Sequence, residues 1–272
     1  MISIKSTLQS NHNWKITVLY VAISYSITWS ILFPLSLVFN ELNIIDREIW
    51  HSLGSIGPSI GGIISLYLLM KKEGLKTLKA RLSIFPGMRL MIIAFAPLII
   101  LLITLLIEHL FGLFNLSVFL QQNSITNSLS FIVFILPSLC YGFFEEIGWR
   151  GFLLPHLQGK YSALKSTLIL TVIWWFWHFP AFFYRFDFIF AFVFMLPLML
   201  TGSVVFTYLF NQSQGSLLMV IILHISYDLV TSHEISIAAT ILVSVFYIFM
   251  DVRIIKKLGT LHFSTLERTK LF

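Results

Sequence analysis

Residues 129–157 read LSFIVFILPSLCYGFFEEIGWRGFLLPHL, an apolar run into which Glu145, Glu146 and Arg150 are set. A helix that crosses a bilayer needs about 20 apolar residues, and Leu129–Arg150 supplies them. Outward from this run, seven more can be placed: Trp14–Phe39, Ile49–Met70 and Leu90–Leu110 before it, then Ser162–Tyr184, Asp187–Phe210, Ser216–Val230 and Ile235–Met250 after it. Composition agrees. Hydrophobic residues make up 57% of the 272 and charged residues only 11%, where a globular chain carries about 25% charged. Twenty-seven Phe and seven Trp are too many to hide in a water-soluble core of this size. The expected fold is all-α: a polytopic membrane protein, a bundle of about eight transmembrane helices. It forms one membrane-embedded domain over residues 1–272, with a motif-bearing core at 129–232.

Charge then orients the chain. Short cytoplasmic connectors carry the excess of Lys and Arg. One set of connectors holds Lys5, Lys15, Lys71, Lys72, Lys76, Lys79, Arg81, Arg89, Arg150, Lys160 and Lys165, with Arg253, Lys256, Lys257, Arg268 and Lys270 in the C-terminal tail. The other set holds only Arg47 and Arg185, flanked by Asp46, Glu48 and Asp187. Eight crossings put sixteen of the eighteen basic residues on one side, which makes both termini cytoplasmic. The net charge of +6 therefore reports topology, and nucleic acid is not an expected partner; the lipid bilayer is. The Lys71–Leu82 segment, KKEGLKTLKARL, reads either as a helix on the anionic leaflet or as a solvated basic loop.

Three spans carry ionisable groups at depth: Glu145, Glu146 and Arg150 in the fourth, His178 in the fifth, His224 and Asp228 in the seventh. A central Asp, Glu or Arg costs about 2.5–3.5 kcal/mol on insertion scales. Four such charges approach roughly 10 kcal/mol before pairing, comparable with the net stability of a whole protein. Residues that costly need a use. Glu146 and Arg150 stand at i and i+4 with the acid first, the favourable order for a helical ion pair. Glu145 lies about 100° around the helix from Glu146 and is left without a partner on its own helix, which suits a general base. His224 and Asp228 share a helix face, as two metal ligands, an oriented imidazole or two groups on one substrate oxygen would. Gly142, Gly148 and Gly151 would let other helices approach closely. At about 1.5 Å per residue, Glu145 and His178 stand roughly 21 and 28 Å above the turn near Gly159, a mismatch that tilt must absorb. A carboxylate, two imidazoles and an acid thus converge where water must be admitted deliberately, a site for hydrolysis or proton handling.

At these residues the sequence resembles the CPBP family of intramembrane proteases, the CAAX-processing and bacteriocin-processing group also called Abi. Glu145, Glu146 and Arg150 match its Glu-Glu-x-x-x-Arg motif. Trp174-x-x-x-His178 matches its second motif, with Trp where Phe is usual, and His224-x-x-x-Asp228 matches its third. The resemblance implies an intramembrane endopeptidase acting on membrane-associated peptides or proteins. It assigns Glu145 as base, His178 as its partner, His224 and Asp228 to the oxyanion, and Glu146 and Arg150 to support of the site. Zinc is left open: two imidazoles and carboxylates could bind it, and the same groups suffice without it. An ionised Asp228 would repel an oxyanion, so Asp228 is protonated in its apolar surroundings, ligates a metal or, the favoured reading, orients His224.

Two other classes fit the same residues: a proton-coupled transporter, against which stands the lack of any repeat, and an inactive family member acting in bacteriocin immunity. The remaining polar residues read as structural. Cys140 is a packing residue, and as the one cysteine it excludes an internal disulfide. His12, His51, His109, His156, His233 and His262 lie in tails, connectors or span ends, with interfacial roles. Asn115-Leu-Ser117 and Asn211-Gln-Ser213 are chance sequons. An Ile-, Phe-, Asn- and Lys-rich short chain reads as bacterial, and a bacterial cell would lack prenylated clients.

Overall fold

The computed structural model describes residues 14–231 and 235–271; Lys5, His12 and His233 fall outside them. The described chain is all-helical. Its helices are α1 (Trp14–Val38), α2 (Ile44–Leu53), α3 (Ile56–Leu82), α4 (Met88–Leu110), α5 (Leu116–Gln122), α6 (Ser128–Gly148), α7 (Leu154–Gln158), α8 (Ala163–Trp177), α9 (Phe188–Phe190), α10 (Leu196–Gln212), α11 (Leu217–Thr231) and α12 (Ile237–His262). π-helical turns join α6 to α7 and α9 to α10. Among the described residues six helical segments are long and apolar enough to cross a membrane, and two shorter apolar helices, Ala163–Trp177 and Leu217–Thr231, accompany them. The protein is an all-α polytopic membrane protein.

Local chemistry sets the helix starts. The Asn43 side chain accepts from the Asp46 amide at 3.0 Å and Ser236 from that of Ala239 at 3.1 Å. Asn127 and Ser130 form a reciprocal capping box at the head of α6. Each such cap is worth about 1 kcal/mol. Asn115 serves α5 in the same way, and Asn211 is fully buried, so both sequon asparagines have structural work to do.

Outward faces are apolar. On α12 the exposed Val245, Ile248 and Val252 recur at helical spacing, as a lipid-facing stripe does. Inside, close approach replaces the hydrophobic drive that lipid removes. A Cβ on Gly148 would sit 2.3 Å from the Pro58 carbonyl oxygen, and one on Gly142 would sit 2.5 Å from the Ile225 side chain. These contacts press α6 onto α3 on one side and α11 on the other.

Several boundaries differ from the sequence reading. The second run is two helices, α2 and α3, divided at Gly54–Ser55. Helix α3 kinks at Lys71 (φ 52°, ψ −138°) and continues to Leu82, so Lys71–Leu82 is helical and not a loop. Its inner face is spent on the protein, with Leu78 and Arg81 buried. The fifth run is α-helical only to Trp177 and then becomes a 3₁₀ turn, Phe179–Phe183. Pro180 lacks the amide that would continue the α-helix. The eighth extends to His262, which places Arg253, Lys256 and Lys257 on a helix and not in a tail.

Candidate active site

Glu145 and Glu146 lie on the last turn of α6, and Arg150 lies in the π-helical turn Trp149–Leu153 that follows. That turn has a local cause. Pro155 has no amide to offer the Gly151 carbonyl one turn back, and Arg81 reaches that carbonyl instead, at 3.4 Å. Such π-turns recur at functional sites because they re-aim side chains.

Glu146 and Arg150 pair at 2.7 Å with neither side chain exposed. The guanidinium is stacked between Trp174 and Phe206, 4.8 and 4.4 Å from the ring centres. Glu146 Oε1 also accepts from Nδ1 of His224 at 2.7 Å. The pair expected along α6 is therefore present, and Glu146 ties it to α11 through His224.

Glu145 differs from the expectation in one respect. It has a partner on its own helix: Trp149 Nε1 donates to Oε2 at 2.7 Å. Trp174 Nε1, from α8, donates to the same oxygen. Both donors are neutral, and Glu145 enters no ion pair among the described residues. Its Oε1 is buried without a hydrogen-bond partner.

His178 closes the C-terminal end of α8. Its Nδ1 lies 2.9 Å from the Trp174 carbonyl oxygen; a carbonyl only accepts, so Nδ1 carries the proton and Nε2 the lone pair. The height mismatch between Glu145 and His178 is met here. Trp174 stands roughly 22 Å above Gly159, level with Glu145, and meets it directly. His178, one turn farther on, is bound back to Trp174.

A cavity of about 640 Å³ takes Glu145, His178, His224 and Asp228 into its lining. Four residues from three helices are thus brought to one space, with Glu146 and Arg150 packed behind it. Asp228 Oδ1 lies 3.7 Å from His224 Nε2, beyond a direct hydrogen bond. The orientation of His224 that was assigned to Asp228 falls instead to Glu146. Among the described residues no group of three or more His, Cys, Asp and Glu side chains is arranged to hold a metal ion. Glu146, the third carboxylate nearby, is committed to Arg150 and His224. The donor set does not fit a zinc centre.

The sequence reading missed a second layer. His51 is buried, lines the same cavity, bonds the Tyr184 hydroxyl at 2.7 Å and stacks on Tyr141 at 4.8 Å; it has no interfacial role. Trp149 and Trp174 were legible as apolar bulk, but their indole N–H groups must find acceptors when buried. Glu145, placed i−4 to Trp149, was the acceptor within reach.

The profile of a family described as type II CAAX prenyl endopeptidase Rce1-like matches residues 125–230. The matched stretch contains all three motifs. The motif region is thus similar to the CAAX prenyl endopeptidases. The chain is also 25% identical, over 177 residues, to CAAX prenyl protease 2 of Methanococcus maripaludis. That alignment covers 60% of this chain, which spans about 65% of the relative's length.

Proposed function

We propose that the protein is an intramembrane endopeptidase that hydrolyses peptide bonds of membrane-associated substrates with a water activated by Glu145 and His178. One observation carries this reading. Glu145 keeps one carboxylate oxygen unpartnered, His178 keeps Nε2 as an acceptor, and both residues line one cavity. A water between them gives up a proton to the carboxylate as its oxygen attacks the substrate carbonyl carbon. The tetrahedral intermediate collapses when that proton reaches the amide nitrogen and the C–N bond breaks. His224 donates from Nε2 only as imidazolium, and the Glu146 carboxylate bound to its Nδ1 at 2.7 Å supports that form. In that form it is the donor for the developing oxyanion. Glu146 and Arg150 hold the ring in place. The two tryptophans fix Oε2 of Glu145, so that Oε1 is the oxygen left to meet water.

The test compares peptides in membrane fractions of cells producing wild-type protein, Glu145→Gln or His178→Gln, each extracted in the same folded, monodisperse form. Products present with wild type and missing with both variants are expected. A product set unchanged by Glu145→Gln would overturn the assignment.

A further inference from the structure

The cavity and the basic residues lie at opposite ends of the bundle. The walls come from the 178–190 turn, the start of α12 and His51 of α2. Exposure rises along them, from fully buried Glu145 through the partly exposed His178 and Asp228 to exposed Asp187, Phe190 and Ile237. The mouth is therefore at the end that holds Arg47 and Arg185. The other end is shut. The Glu146–Arg150 layer forms the floor, unexposed. Below it Gln158 donates to the Asn211 side chain at 3.0 Å and to the Thr269 carbonyl at 2.8 Å, and Arg268 donates to the Gln158 carbonyl at 2.9 Å. Arg81 binds the Lys270 carbonyl at 3.2 Å, and Phe263 and Leu271 are buried. The 263–271 segment is thus a plug on the basic side.

With Arg150 set aside as part of the buried site, fourteen of the sixteen other Lys and Arg among the described residues lie on the plugged side. Connectors that rich in Lys and Arg stay in the cytoplasm. We propose that the cavity is entered from the non-cytoplasmic face. Its substrates are then exported or membrane-anchored peptides whose scissile bond lies in the outer half of the bilayer. The substrate half rests on the peptidase reading; the topological half does not. The mouth suits an extended, largely apolar segment: Phe190, Ile237 and Ile241 offer exposed apolar surface there, and Arg185 is neutralised by Glu48 at 2.8 Å.

The topological half is tested in a Cys140→Ser background, since Cys140 is the one native thiol. Asp187→Cys and Phe190→Cys report on the mouth, and Lys160→Cys on the basic side. A membrane-impermeant maleimide applied to intact cells should label the first two and not the third, and inverted vesicles should show the reverse. Labelling of the mouth positions only from the cytoplasmic side overturns the proposal and leaves the peptidase reading standing. The substrate half is read from Glu145-dependent cleavage sites mapped by mass spectrometry of membranes and medium. Sites in non-cytoplasmic segments support it, and sites in cytoplasmic segments overturn it. Outward labelling with no Glu145-dependent site overturns the peptidase reading and the substrate assignment with it, while the topology stands.

Discussion

Arg150→Met removes the guanidinium while keeping an unbranched, polarisable side chain between Trp174 and Phe206. The structure sets the cost. Arg150 and Glu146 are both unexposed, 2.7 Å apart, and Oε2 of Glu146 is already without a hydrogen-bond partner. Stranding one member of such a pair costs about 3–5 kcal/mol, whereas an exposed pair would cost under about 1 kcal/mol. The lost cation–π contacts, about 2 kcal/mol when desolvated, overlap with that figure and are not added to it. At about 2–4 °C per kcal/mol for a large domain, the apparent Tm should fall by roughly 10 °C.

Glu146→Gln alone should cost a similar amount, because it leaves Arg150 buried without its counter-ion. The double variant Glu146→Gln/Arg150→Met buries no unpaired charge, so it should be more stable than either single variant, with a coupling of about 2–3 kcal/mol. Thermal unfolding of detergent-purified protein, followed by intrinsic tryptophan fluorescence, measures all four corners of this cycle. Trp149 and Trp174 flank the pair, so the probe reports on the right place. Singles that lose under about 1 kcal/mol, or a double that loses the sum of both, would refute a buried and coupled pair.

Trp174→Phe deletes one of the two indole donors to Glu145 and keeps the ring between Arg150 and Glu145. A hydrogen bond to a charged group is worth about 1.5–3 kcal/mol, so kcat should fall about tenfold with KM little changed; an unaltered kcat would remove Trp174 from the positioning of the base. Asp228→Asn should keep activity within about threefold, under 1 kcal/mol of barrier, because Glu146 and not Asp228 holds the His224 ring; loss of activity on the scale of Glu145→Gln would show that Asp228 must be ionised. Gly148→Ala should destabilise by about 2–3 kcal/mol despite the roughly 1 kcal/mol gained in helix propensity. The added methyl would meet backbone, the Pro58 carbonyl oxygen at 2.3 Å, which cannot swing aside as a side chain would. An unfolding midpoint at or above wild type would place α3 farther from α6.

Most of the fold could be read along the chain because the bilayer imposes one rule on every segment. Each crossing must satisfy its own backbone, so an apolar run of sufficient length is a helix. That rule gave eight runs and the Glu146–Arg150 pair, since i,i+4 spacing is a property of one helix. It could not place the breaks. The division at Gly54–Ser55, the kink at Lys71 and the continuation of α12 past Met250 depend on which neighbours supply packing, as with Leu78 against Gly151. The Glu145 error has the same origin. An indole reads as apolar bulk until a fold buries its N–H, and only then does it need the carboxylate.

Local spacing, acting within single helices, determined that this chain is a bundle of membrane helices carrying acids and imidazoles at depth. Only the tertiary structure decided which oxygen of Glu145 is tied down, that Glu146 rather than Asp228 holds His224, that His51 belongs to the cavity, and which end of the bundle is shut. Those features are contacts between helices far apart in sequence. Periodicity fixes the face of a helix; what that face meets is set by packing all of them together.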